Sequence, residues 1–142
     1  MSKPTVAVIL PCYNEEAAIA QTIEGFRKVL PDAAIYVYDN NSRDRTIEVA
    51  RAAGAMVRGE RMQGKGNVEA DIYVMADGDA TYDPAAAPAM VARVAEEGLD
   101  MIVGTRVHEA AEAYRRGHVL GNRMMTGILA SLFGRSFTDI FS

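Results

Sequence analysis

The chain has 142 residues, 49% of them hydrophobic, and a formal net charge of −4. That is room for one domain with a core of its own, and the acidic balance excludes a protein that grips nucleic acid non-specifically through many phosphate contacts. Cys12 is the single cysteine, which excludes an internal disulfide and a thiolate metal cage and fits a reducing cytoplasm.

Short apolar runs rich in β-branched residues alternate with helical patterns, the mark of βαβ units and a parallel sheet. The first predicted strand is 5–10, followed by a helix over 15–29 with Ile19, Ile23, Phe26 and Leu30 on one face. A second strand covers 34–39, and a second helix, 46–53, follows a capping Asp44. Strands at 55–58 and 72–76 come next. Asp83 and Pro84 open a third helix that runs through Met90 and Val94 to about Glu97. A fifth strand is expected at 101–104 and a last apolar helix over 119–133. No stretch approaches the 18 or so apolar residues of a bilayer span, and the N-terminal apolar run meets Glu15 and Glu16 too early for a signal peptide.

In an open parallel sheet, ligands sit beyond the carboxyl ends of the strands. Here those ends read PCYNEE, DNNSRD, DGDATYD and GTR. Asp77 and Asp79, one residue apart, share a side only if the backbone turns between them, and Gly78 is expected to supply that turn. Two close carboxylates repel each other unless a cation lies between them. Mg²⁺ suits such a pair, since it takes one or two carboxylates together with phosphate oxygens and water. The plainer alternative is that these acids cap the next helix and solvate a loop, which is the preferred reading of Asp83. Asp39 could accept from a nucleotide base or ribose, or simply make a turn into the next helix. Lys65, in GKGN, suits a diphosphate but by itself reads equally as a surface loop. A strand followed by D-x-D-x-T also matches the nucleophile motif of haloacid-dehalogenase-like phosphatases. That class places the motif on its first strand and needs a downstream lysine, whereas no lysine follows Lys65.

The motifs PCYNEE, YDNNS, GKGN, DGDATYD and GTR, in that order, resemble family 2 glycosyltransferases of the GT-A fold, and most of all the branch with dolichyl-phosphate mannose synthase and bacterial polyprenyl-phosphate glycosyltransferases. The resemblance runs along nearly the whole chain. It implies an α/β, Rossmann-like, mostly parallel sheet flanked by helices, as a single domain over 1–142. It implies that Pro11, Tyr13, Glu15 and Asp39 line the pocket of a nucleotide diphosphate sugar, with Asp39 on the base and Lys65 near the diphosphate. Asp77 and Asp79 correspond to the D-x-D pair that holds Mg²⁺ or Mn²⁺, and Asp77 also reaches toward the ribose. Thr81 stands where some members place a metal-binding Gln.

Arg106 and Arg123 fall where the family binds an acceptor phosphate, and guanidinium forks match phosphate oxygens. An inverting transfer to a hydroxyl needs a base, for which Asp139 is the candidate. A polyprenyl phosphate is already anionic near neutrality, and Asp139 would then orient the arginines. The implied setting is the cytoplasmic face of the cell membrane, reached by peripheral contact, in the making of cell-envelope polysaccharide. The stripe Met124, Met125, Ile128, Leu129, Leu132 and Phe133 reads as core or, beside several arginines, as a membrane-resting face. His108 and His118 read as surface residues. A hydroxyl acceptor and a non-catalytic nucleotide-sugar-binding module are the alternative functions, and the sequence leaves the donor base, the sugar and the oligomeric state open.

The chain departs from the family at two places. Residues 59–71 are short for a parallel crossover, and the family's helix after GKGN is missing, so residues are expected to be absent near 68–69. The sequence stops at Ser142, where family members continue, so the acceptor side is expected to be truncated.

Overall fold

The computed structural model of the protein describes residues 2–59 and 68–104. Nearly all of these belong to one compact unit, Met1–Ile102; of the second unit, Val103–Ser142, only Val103 and Gly104 are described.

Four parallel strands form the sheet, in the order β3-β2-β1-β4. The central strand, β1 (Val6–Cys12), is buried from Ala7 onward because neighbours flank it on both sides. Such strands read as continuous apolar runs, as VAVILPC does. The next strand, β2 (Ala34–Asp39), alternates instead, burying Ile35, Val37 and Asp39. Helix α1 (Ile19–Val29) lies between them in the chain and buries Ile19, Thr22, Ile23 and Phe26, one face of a helical repeat. Its apolar face joins Val8, Leu10, Ile35 and Val37 in the main core.

Helix α2 (Thr46–Ala52) leads to β3 (Met56–Gly59). Its end is closed by α1: the Arg27 guanidinium donates to Ala53 O at 2.8 Å and Gly54 O at 3.2 Å, and Gly54 takes φ 83, which its missing Cβ permits. The chain then crosses the sheet to β4 (Ile72–Met75), on the far side of β1. A reciprocal latch fixes the start of β4. Asp71 Oδ2 accepts from Thr5 N (2.7 Å) and Thr5 Oγ1 (2.8 Å), while Asp71 N donates back to Thr5 O at 3.1 Å. These bonds hold the Asp71 carboxyl below the usual carboxylate range. A short 3-10 turn, Pro84–Ala86, precedes helix α3 (Ala87–Glu97), which stops at Gly98 with φ 63. Asp83 caps the turn by accepting from Ala85 N at 2.9 Å.

Strands one to four and all three described helices agree with the sequence reading to within a few residues, with three differences. First, β1 runs on to Cys12 because β2 continues beside it, pairing Cys12 with Asp39. Second, α1 begins at Ile19 rather than at 15, because Glu15 O takes the amides of Ala18 and Ile19 as a turn. Third, 101–104 is not a strand: Met101 and Val103 are 73% and 63% exposed. Four residues with modest β-propensity form a strand only where a neighbouring strand and a half-buried face support them. The predicted helix over 119–133, with its Met–Leu stripe, His108 and His118, lies outside the described residues. Among the described residues no helix is long and apolar enough to cross a membrane.

Ile23 is fully buried between α1 and the sheet, so Ile23→Ala should cost about 2–5 kcal/mol in denaturant unfolding. Met101→Ala should stay within about 0.5 kcal/mol of the parent; a loss as large as that at Ile23 would mean that 101–104 is packed after all.

Candidate nucleotide site at the switch point

The strand order reverses at β1: β2 and β3 lie on one side of it, β4 on the other. In open α/β sheets the crevice at such a switch point, beyond the carboxyl ends of the strands, is where ligands bind. Three chain segments emerge there, after Cys12, after Asp39 and after Met75.

The segment after β4 stays paired to β1 past the end of the strand. Ala76 N donates to Ile9 O at 3.2 Å and Gly78 N to Pro11 O at 3.1 Å, while Gly78 O accepts from Thr22 Oγ1 at 3.2 Å. Gly78 is buried against Cys12, and a Cβ on it would collide with Cys12 Sγ and come within 3.0 Å of Ile19 Cδ1. The glycine is therefore required by close approach. Gly78 and Asp79 also form the turn expected there, and the bend continues into Ala80, which takes the left-handed φ of 59. Asp79 tightens the bend, since its Oδ1 accepts from Thr81 N (3.0 Å) and Thr81 Oγ1 (2.6 Å). Thr81 thus serves as the partner of Asp79. Asp77 and Asp79 are both half-buried.

Cys12 reports what the crevice gathers. Its thiol is buried and pushed far up from its ordinary value, first by burial and then by the charges of Glu15, Asp39, Asp77 and Asp79. Four carboxylates from three loops thus act on one sulfur. Glu15 shows the same crowding: its carboxyl is raised by burial, then by Asp79, Asp44 and Asp77. Sequence reasoning used Cys12 only to exclude a disulfide and a thiolate metal cage and to fit a reducing cytoplasm; its place inside PCYNEE was the available signal.

Asp39, at the end of β2, is 95% buried, as its relative exposure of 5% shows. Its Oδ2 accepts from Ser42 N at 3.0 Å, the turn that the sequence offered as one alternative. Its Oδ1 is buried without a hydrogen-bond donor. A buried acceptor left unmet costs about 1–3 kcal/mol, so the turn explains only half of this side chain. Pro11 is buried and Tyr13 half-buried beside these loops. Lys65, Arg106, Arg123 and Asp139 lie outside the described residues.

Among the described residues no three acidic, histidine or cysteine side chains form a ready-made metal cage. The acidic field around Glu15 and Cys12 nevertheless fits a hard cation that completes its shell with phosphate oxygens and water. A separate groove of about 240 Å³ runs between α1 and residues 80–84, past Gln21, Glu24, Lys28 and Tyr82; none of Glu15, Asp39, Asp77 or Asp79 lines it.

The model of glycosyl transferase family 2 matches residues 7–140. The chain belongs to this family. Protein RfbJ of Shigella flexneri is 48% identical over 122 residues, 80% of this chain and 95% of RfbJ. A dolichyl-phosphate hexose transferase of Haloferax volcanii is 31% identical over 142 residues, 94% of this chain and 62% of its own length. Among solved structures, glucosyl-3-phosphoglycerate synthase from Mycobacterium tuberculosis, in complex with Mn²⁺, uridine diphosphate and phosphoglyceric acid, matches with a TM-score of 0.56 at 26% identity, over 64% of this chain and 39% of that one. The same synthase is also known with Mg²⁺ and uridine diphosphate. RfbJ apart, the chain thus spans less than two-thirds of these proteins. The parallel sheet and the glycosyltransferase neighbours agree with the α/β GT-A fold read from the sequence.

Gly78→Ala should displace the aspartate loop and lower the melting temperature, and adding Cys12→Ala should restore part of the loss by clearing the sulfur. In native protein Cys12 should resist alkylation at pH 8 and react once the chain is unfolded. Because the folded thiol pKa lies above the unfolded value of about 8.5, its contribution to stability is whole below that pH and is lost as pH rises beyond it. Cys12→Ala should flatten this alkaline decline.

Proposed function

We propose that the protein transfers a sugar, with inversion, from a nucleotide diphosphate sugar to a polyprenyl phosphate, with Mg²⁺ or Mn²⁺ held by Asp77 and Asp79. The observation that carries the donor half is the buried, unmet Oδ1 of Asp39 beside an acidic crevice at the switch point. A base N–H arriving there supplies the missing donor, and Pro11 and Tyr13 line the pocket around it. Asp77 and Asp79 would hold the divalent cation, which would supply positive charge to offset the charge that builds on the leaving diphosphate. Glu15 adds negative charge to that field from the β1 side, Asp77 also reaches the ribose, and Lys65 approaches the diphosphate. The manganese and uridine diphosphate named for the mycobacterial synthase support the donor and metal.

On the acceptor side, Arg106 and Arg123 hold the phosphate. The dolichyl-phosphate hexose transferase supports a lipid phosphate, and with such an acceptor the protein would work at the cytoplasmic membrane face through peripheral contact. The second reading is a soluble hydroxyl acceptor, favoured by the phosphoglyceric acid of the synthase complex; Asp139 is then the base.

Thermal-shift titrations with UDP-, GDP- and dTDP-sugars and Mn²⁺ test the donor half. A ligand at 100 times its dissociation constant stabilises by about 2.7 kcal/mol, so the true donor should give a concentration-dependent shift. Asp77→Asn with Asp79→Asn should abolish its metal-dependent part; an undiminished shift would overturn the metal assignment. Asp39→Ala should weaken nucleotide binding by at least about tenfold, the loss of one hydrogen bond to a charged group at about 1.5–3 kcal/mol.

Product assays with labelled donor decide the acceptor. A polyprenyl phosphate acceptor predicts the larger loss from Arg106→Ala or Arg123→Ala, and a hydroxyl acceptor predicts it from Asp139→Asn. Donor binding without transfer to either acceptor would leave a nucleotide-sugar-binding module.

A further inference from the structure

The loop after β1 and the loop after β2 are joined by more than the sheet. The backbone link is Asn40 N to Cys12 O, at 2.9 Å. Beyond it come two reciprocal rungs in which one residue gives its amide and receives another through its side chain. Asn14 N donates to Ser42 Oγ at 2.8 Å, and Asn14 Oδ1 accepts from Arg43 N at 2.8 Å. Glu16 N donates to Asp44 Oδ2 at 3.2 Å, and Glu16 Oε2 accepts from Arg45 N at 3.0 Å. Between the rungs, Glu15 N donates to Thr46 Oγ1 at 2.8 Å. Thr46 is fully buried and is held by Asp44 Oδ1 through both its amide and its hydroxyl.

Two carboxylates, Glu15 in the first loop and Asp39 at the end of β2, take no part in these rungs. Glu15 is fixed through its backbone alone, leaving its half-buried carboxyl in the field of Asp79, Asp44 and Asp77. Asp39 is tied through Oδ2 to Ser42 N, and Ser42 is itself in the first rung. Each rung therefore spans the two loops and leaves one carboxylate from each free for a ligand. Asn14 stands at φ 52, a left-handed conformation that Asn tolerates better than most residues. Held there, its amide and its side-chain oxygen both face the second loop.

We propose that Asn14, Glu16, Ser42 and Asp44 are positioning residues for the nucleotide: their two rungs lock the β1 and β2 loops together so that Glu15 and Asp39 meet the same ligand without rearrangement. Preorganisation of this kind raises affinity by removing the cost of ordering loops on binding. Two rungs that hold the same pair of loops share that function, so their removal is not additive.

This inference rests on the donor reading above, and the test separates the two. The nucleoside diphosphate that the parent chain binds tightest with Mn²⁺, among UDP, GDP and dTDP, serves as probe, with dissociation constants measured well below each variant's melting temperature. If the parent binds none of them, the donor reading fails. If it binds one, Asn14→Gly, which keeps the left-handed backbone but deletes the acceptor, and Glu16→Ala should each weaken binding by about fivefold to tenfold, the effect of one lost hydrogen bond. Glu16→Gln, which retains a side-chain oxygen for Arg45 N, should recover most of the affinity. The double variant Asn14→Gly/Glu16→Ala should lose clearly less than the product of the single losses. Ser42→Ala, the mildest change, supplies the same comparison should a loop variant fail to fold. Dissociation constants within twofold of the parent for the folded variants, even where melting temperatures drop, would show that the rungs serve stability alone and would overturn the proposal. So would a Glu16→Gln protein as weak as Glu16→Ala.

Discussion

Glu15, Asp39, Asp77 and Asp79 come from three loops behind three strands, and their charges meet at one buried thiol, Cys12. Left to themselves, carboxylates this close would move apart or take up protons. Here the backbone holds them in place, and the Glu15 carboxyl is raised, by burial first and then by Asp79, Asp44 and Asp77. Asp39 is anchored by pairing with Cys12 and by Ser42, Asp79 by Thr81, and the backbone of the β4 loop by Pro11 and Thr22. The sheet maintains a repulsion that a divalent cation and a nucleotide would relieve.

The strand order makes that concentration of charge possible. With β2 on one side of β1 and β4 on the other, the loops after them diverge and leave an opening above the central strand. The aspartate loop closes in on β1 because Gly78 presents only hydrogen toward Cys12. Cys12 in turn is small enough to leave that room and apolar enough to remain buried, and its raised thiol pKa keeps it a neutral, unreactive spacer.

Much of this was readable from the sequence, for a physical reason. Buried parallel strands are apolar runs, so IYVYD and IYVM announced β2 and β4 with their acids attached, and the alternation with helices gave the sheet its direction. Isoleucines and Phe26 at helical spacing marked the buried face of α1. What the sequence hid depends on contacts between distant residues. Gly78 looked like a turn and lies in one, but its close packing against Cys12 and the left-handed Ala80 after it carried no signal in the chain. The residues at 15–18 looked helical, but Glu15 O and the second loop claim them. The four-residue run at 101–104 looked like a strand and lacks the support that would make it one. The rungs join residues 28 and 29 positions apart, a separation at which no periodicity in the chain carries a signal.

The core and the crevice divide the work between them. Stability comes from the face where α1 meets β1 and β2, with Val8, Leu10, Ile19, Ile23 and Val37 at zero exposure. At about 25 cal/mol per Å² such burial sustains a domain, and it can absorb the cost of an unmet acceptor and crowded acids a few residues away. That division explains why the two loops need their own bonds. The apolar core ends at Cys12, and beyond it no packing would hold Asn14–Ala18 or Asn40–Arg45 in register. Hydrogen bonds between short polar side chains and backbone amides do so instead, at fixed lengths and with little bulk. They leave the floor of the crevice open, which a further apolar layer would have filled.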